Sequence, residues 1–230
     1  MTIEREVLVS ALKLTSGGPA EIEEIARETR IPAKVVRGVV KRSSDLGIVQ
    51  RRGSSVVLEK EQRLSTAVRA ITLGADVERV SKFLTWSEFE DMSVLAFEAN
   101  DFVVKKHFRF KWSGRRWEID LLGFKEPIIA SVDCKHWRHG WRGSASRTAA
   151  EKQVERTRAF TESSASLLDR MGVAKWRQAY FVPAVLSLVP SENKSCRGVP
   201  IVPVLQLRDF LQTMPAYIRE ITHFQKSFPE

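Results

Sequence analysis

Apolar positions along this chain recur first at helical and then at strand spacing, and the change of period divides it. Residues 4–14 carry an apolar helical stripe that stops at the Ser16-Gly17-Gly18-Pro19 break. A second helical stretch, 20–28, turns Ile22, Ile25 and Ala26 inward. Pro32 suits the first position of a third helix, which places Val35, Val36, Val39 and Val40 inward. Lys34, Arg37 and Lys41 then share one outward basic stripe. The segment GIVQRRGSSVVLEK alternates, turns at Gly53-Ser54 and alternates again, predicting a hairpin with Arg51 and Arg52 at its tip. Residues 61–83 read as two short amphipathic helical pieces parted at Gly74, without the composition of a loose linker.

The remainder predicts helix, three strands, helix, strands and a closing helix. A helix over 84–100 precedes strands at 102–110, 116–123 and 127–134, with turns at Trp112-Ser113-Gly114 and Glu126-Pro127. One long helix covers 145–171. RQAYFVPAVLSL and VPIVPVLQL are later strands, and a last helix runs over 207–224, kinked at Pro215. The expected fold is α/β, a mixed sheet flanked by helices, in three parts: 1–62, a connector at 63–83, and 84–230. The first part resembles the winged helix-turn-helix domains of prokaryotic regulators in its order of elements. That resemblance implies a recognition helix in the major groove and a wing on the backbone, with Lys34, Arg37, Lys41, Arg51 and Arg52 touching nucleic acid. The same order also serves protein–protein contact.

Charge sharpens the picture. The 230 residues carry a net charge of +9, a balance that favours polyanionic partners. Residues 1–62 hold 11 basic and 9 acidic groups, so most of the excess lies beyond them. No apolar run reaches the roughly 18 residues of a membrane span. The first residues lack the features of a secretory signal, and two cysteines make no disulfide framework, so a cytoplasmic setting is expected.

The candidate chemistry sits on the three consecutive strands. In the third, Asp133 and Lys135 share a face, while Cys134 points the other way. Asp120 falls late in the preceding strand, and an antiparallel hairpin can bring it beside Asp133. Two aspartates so close repel unless a cation lies between them. Hard ions such as Mg²⁺, with Mn²⁺ as a substitute, are held by one or two carboxylates plus water and phosphate oxygens. Lys135 would orient the attacking water or neutralise the transition state. Glu90 adds a third acid, set into the apolar stripe of the preceding helix between Val94 and Phe97, where a carboxylate is costly unless bonded.

This block, Glu90, Phe102, Asp120 and Asp133-Cys134-Lys135, resembles the PD-(D/E)xK nuclease superfamily. Within it, the likeness is to archaeal Holliday-junction resolvases and Mrr-like restriction endonucleases, over about residues 84–182. Ile119 stands where the motif's name has proline, and Asp133 replaces the more frequent Glu. The resemblance implies a restriction-endonuclease-like fold and Mg²⁺-dependent phosphodiester hydrolysis. It makes Glu90, Asp120, Asp133 and the Cys134 carbonyl metal ligands, with Gln153 on the following helix in support. The expected activity is a DNA endonuclease, structure-specific in repair or recombination. A restriction-type enzyme and a non-catalytic DNA-binding regulator are the alternatives. RNA stays open as a substrate, and cutting two strands makes a homodimer one expectation.

The segment CKHWRHGWRGSASR follows directly. Arg138, Arg142 and Arg147, with Trp137 and Trp141, suit a loop lying along nucleic acid, although the tryptophans suit a core equally well. His136 and His139 lack the further ligands that zinc needs.

Overall fold

The computed structural model describes residues 2–76, 79–80, 82–135, 144–163, 165–187 and 193–228. Packing divides the chain into Met1–Phe89 and Glu90–Glu230.

The first unit contains helix α1 (Ile3–Leu14), strand β1 (Ala20–Glu21), helices α2 (Ile22–Thr29) and α3 (Ala33–Asp45), strands β2 (Gln50–Arg52) and β3 (Ser55–Val57), and helix α4 (Lys60–Thr72). The three strands form one small sheet in the order β1-β3-β2. Gly53, at φ +63, makes the predicted turn between β2 and β3, which pair antiparallel. Val7, Leu8, Ile22, Ile25, Val36 and Val39 fill the core. Val35, expected inward, is 39% exposed because α3 turns only Val36, Val39 and Val40 to that core.

Helix α4 is part of this unit. Its Arg63 is buried, donating through Nε to Glu88 Oε1 at 2.6 Å and through Nη1 to the Leu12 carbonyl at 3.2 Å. A buried guanidinium needs such partners for its donors. Tied in this way to α1 and to residue 88, α4 differs from the separate connector read at 63–83.

Helix α5 (Trp86–Glu98) spans the division between the units. The second unit is built on a seven-stranded mixed sheet flanked by helices. Its strands are β4 (Val103–Trp112), β5 (Arg115–Lys125), β6 (Ile128–Lys135), β7 (Gln178–Ser187), β8 (Ser195–Cys196), β9 (Val199–Pro203) and β10 (Phe224–Ser227). The order is β4-β5-β6-β7-β9-β8, with β10 on the first half of β7. β4, β5 and β6 are antiparallel neighbours, while β6-β7 and β7-β9 are parallel. Helix α6 (Ser144–Thr161) brings Phe160 onto a core with Leu122, Ile129 and Phe181. On α5, Phe97 is buried over Gly123 of β5, where a Cβ would lie 2.6 Å from its ring.

Three sequence expectations change. The long helix stops at Thr161, and a separate helix α7 (Ala165–Arg170) follows. Near the break, the hydroxyls of Thr157, Thr161 and Ser163 bond back to carbonyls at Gln153, Thr157 and Phe160. The closing helix is short, α8 (Leu207–Thr213), and continues as a 3-10 turn with Pro215 at its start. Residues 224–227 then form an edge strand, β10, instead of a helix end. No helix among the described residues is long and apolar enough to cross a membrane.

Candidate active site

Asp120 and Asp133 meet where the sheet opens. The β5-β6 ladder runs from the Lys125↔Ile128 pair to Leu121↔Val132 and stops. One step further, the register sets Asp120 opposite Asp133. The β4-β5 ladder is interrupted at the same place. Lys106 pairs Leu121 and Phe108 pairs Ile119, while His107, at φ +48, faces Asp120 outside the ladder. Asp120 therefore sits where neither neighbouring strand continues its pairing. Its Oδ2 accepts the Cys134 backbone N–H at 2.8 Å, closing the strand gap with a side chain.

The surroundings make ionised Asp120 unfavourable. Burial pushes its carboxyl above the ordinary value, and the neighbouring Asp133 charge adds to this. The Cys134 N–H, Lys135 and Arg156 pull the other way without cancelling it. The buried Cys134 thiol is pushed up well beyond its usual range, first by burial and then by the charges of Asp120, Glu90 and Asp133. All three acids thus act on one sulfur, although that sulfur belongs to the opposite face of β6 from Asp133.

Asp133 is almost wholly buried and carries two cations. Lys135 Nζ lies 3.0 Å from its Oδ1 and 2.8 Å from its Oδ2, and Arg156 Nη1 donates to Oδ1 at 2.5 Å. Oδ2 has no hydrogen bond of acceptable geometry despite the close ammonium. Gln153, expected to assist, is fully buried on α6, and its Nε2 donates to Ser131 Oγ at 2.9 Å. Ser131 lies two residues before Asp133 on the same strand face. Gln153 thus fixes β6 against α6, and its Oε1 also faces Arg156. A cavity of about 330 Å³ opens over Asp133, lined also by Lys135, Thr148, Lys152 and Arg156. Three cations around one buried acid make it a place for an anionic group.

Glu90 is buried on α5 but belongs to a different cluster. Its Oε2 lies 3.3 Å from His107 Nε2 and 3.7 Å from Lys106 Nζ, and Lys106 also bonds Asp91 at 2.8 Å. Burial alone would lower the Lys106 pKa, yet the carboxylates of Asp91 and Glu90 raise it. Lys106 and His107 belong to β4, and His107 is the residue facing Asp120. Glu90 is thereby tied to the strand whose His107 faces Asp120.

Sequence reasoning missed Arg156, Lys152, Lys106 and His107. Arg156 had a readable signal, lying three residues after Gln153 and so on the same helix face. His107 had none, since its left-handed backbone appears only in the folded strand.

Donor chemistry at the Asp120–Asp133 pair fits a divalent cation. The register sets the two carboxylates on adjacent strands, and the buried Asp133 Oδ2 has no hydrogen bond, with the Lys135 ammonium 2.8 Å from it. The three-acid set is not assembled in this arrangement. Among the described residues, no three acidic, histidine or cysteine side chains are gathered to hold a metal. Each acid instead rests on a donor from the chain: Asp133 on Lys135 and Arg156, Asp120 on the Cys134 amide, and Glu90 beside Lys106 and His107.

Of the residues expected to touch nucleic acid, Lys34 and Lys41 are exposed on α3, and Arg37 is exposed but paired with Glu23. Arg51 and Arg52 are exposed on β2, bonded to the Gly53 carbonyl and Gln50 Oε1. Arg147 is exposed in the first turns of α6. Arg138 and Arg142, with His136, Trp137, His139 and Trp141, lie outside the described residues.

No protein-family model matches the chain, and no curated protein matches it. Among solved structures, the crystal structure of protein VC1899 from Vibrio cholerae is similar at TM-score 0.40 and 12% identity, over 95% of this chain and 52% of that one. This chain thus spans about half the length of that protein, and a likeness of that size carries no argument about function.

Proposed function

We propose that the chain is a metal-dependent endonuclease of the restriction-endonuclease-like class, hydrolysing phosphodiester bonds in DNA. One observation carries this reading: Asp120 and Asp133, from separate strands, face each other just past the last ladder pair, with Lys135 on Asp133. Neighbouring carboxylates disfavour each other's ionised form unless cations lie beside them, and Lys135 and Arg156 lie beside Asp133.

Asp120 and Asp133 would hold a Mg²⁺ ion, with Glu90 and the Cys134 carbonyl as candidates to complete its surroundings. When bound, such an ion supplies a more acidic water and neutralises charge on phosphoryl oxygens. The chain's own groups do the rest. Lys135 keeps an ammonium beside Asp133, where it would counter charge developing on the phosphate. Arg156 and Lys152 make the adjoining cavity attractive to the anion. Gln153, bonded to Ser131, holds the strand that presents Asp133. The Cys134 amide keeps Asp120 aimed at the strand gap.

The test is a Mg²⁺ and Mn²⁺ cleavage panel on branched, flapped and linear DNA, wild type against Asp133→Ala. Cleavage of at least one substrate, lost in the variant and in EDTA, is the expected outcome. Equal neglect of every substrate overturns the reading. Cutting at one fixed sequence would move it to the restriction-type branch. The saturation of Asp133 by Lys135 and Arg156 favours a second reading, a DNA-binding regulator with a nuclease-like domain. In that case Asp120→Asn and Lys135→Ala would leave DNA affinity and biological output unchanged, and no substrate would be cut.

A further inference from the structure

The β4-β5 hairpin outlasts the sheet it belongs to. β5 pairs with β6 only from Leu121 to Lys125, whereas it stays paired with β4 out to Trp112↔Arg115. Beyond Asp120, residues 108–112 and 115–119 therefore make a two-stranded ribbon. One face is pinned: Phe108 and Phe110 lie 5.4 and 5.5 Å from the Phe160 ring, and Trp112 and Trp117 pack on the same core. The other face carries Arg109, Lys111, Arg116 and Glu118 by strand alternation, and the three basic groups are exposed. Arg115 is exposed at the tip, its guanidinium 4.2 Å over the Trp117 ring. Four cations face one acid, and that acid is already paired with Arg109 at 2.9 Å. The pairing holds the Glu118 carboxyl below its usual range. A groove of about 620 Å³ is lined by Arg109, Lys111, Arg116 and Glu118 together with Phe110 and Trp117.

We infer that this ribbon is the docking arm for a nucleic-acid duplex, fixing it against the Asp120–Asp133 centre; the placement, though not the binding, rests on the nuclease reading. Charge names the partner, since a face meant only for solubility mixes both signs. Shape narrows it to a duplex. A two-stranded ribbon is of a width that a major groove admits, and alternate residues about 7 Å apart present cations in a row along a backbone. A single strand would call for freely exposed aromatic platforms, whereas Phe108, Phe110, Trp112 and Trp117 all pack, wholly or in part, against the core. Its base is the His107–Asp120 step, so a duplex on the ribbon passes beside the paired aspartates.

The test measures binding of a short fluorescent DNA duplex to the full chain in EDTA, where nothing is cut. Lys111→Ala/Arg116→Ala is compared with Lys175→Ala/Arg208→Ala, which removes the same charge from exposed positions elsewhere in the second unit. The ribbon variant is expected to bind about tenfold more weakly, with a log K against log salt slope shallower by about 2. The control variant should keep the wild-type slope. Equal losses in the two variants, no loss in either, or a wild-type preference for the single strand would each overturn the proposal. Lys111→Gln/Arg116→Gln, which keeps longer stems, serves if the alanine variant melts early. Wild type that never cuts, yet shows the ribbon effect, would sink the nuclease reading alone.

Discussion

At the scale of single residues, Asp120 and Asp133 solve the same difficulty differently. Asp133 is more deeply buried and is held by two cations. Asp120 accepts a backbone amide, and burial raises its pKa. The folded chain therefore holds the Asp120 proton more tightly than the unfolded chain does. Its contribution to stability is fully present below the unfolded value near 3.8 and is lost as pH rises through the higher folded value. At neutral pH the ionised group is a cost. Asp120→Asn keeps an oxygen for the Cys134 N–H and removes that cost. In EDTA, the variant should show a higher Tm than wild type at pH 7, with the gain shrinking as pH falls toward about 4. A gain that stays the same across this range would show that burial does not penalise the carboxylate. Cleavage should fall by roughly 10²-fold or more in the same variant, the stability–activity opposition typical of strained sites.

Elements explain how much of this was legible. Strands β4, β5 and β6 were readable as short runs rich in β-branched, aromatic and other apolar residues set off by two clear turns, at Trp112-Ser113-Gly114 and Glu126-Pro127. The order of the first unit was readable from Pro32, the Gly53 turn and the spacing of its valines. The hairpin register ends one pair short of Asp120 and Asp133, which its continuation would set opposite each other. What failed depended on distant partners. β10 finds its place on Gln178–Phe181, some forty residues earlier, and ITHFQKSF alone gives no sign of that pairing. The pairing of Glu90 with Lys106 and His107 was equally hidden, because it follows from how α5 lies on the sheet. Gly123 sets that position by admitting the Phe97 ring, two helical turns after Glu90. Gly123→Ala would drive a methyl into that ring. It should cost about 1–3 kcal/mol in urea unfolding at an unchanged m-value. Cleavage should weaken with it, because α5 also carries Glu90. An alanine variant as stable as wild type would show that α5 can shift freely.

Across the whole molecule, charge and chemistry are divided between two units. Residues 1–62 carry nearly balanced charge, yet α3 presents Lys34 and Lys41 outward while Arg37 is tied to Glu23. The paired acids, the anion-attracting cavity and the basic ribbon all belong to the second unit. If, as proposed, the second unit cuts DNA and the first reads the duplex, the two roles should separate in kinetics. Removing phosphate contacts from the reader weakens ground-state and transition-state binding alike, which raises the half-saturating DNA concentration without slowing the chemical step. Lys34→Ala/Lys41→Ala should therefore need about tenfold more duplex for half-saturation at physiological salt. Its single-turnover rate at saturating DNA should match wild type. Asp133→Ala should do the reverse, binding with near wild-type affinity and cutting nothing. The measurement is a single-turnover series against DNA concentration for the three proteins at two salt concentrations. If the double variant instead lost rate at saturation while keeping its affinity, α3 would be acting on the cutting step, and the division of labour between reader and cutter would be wrong.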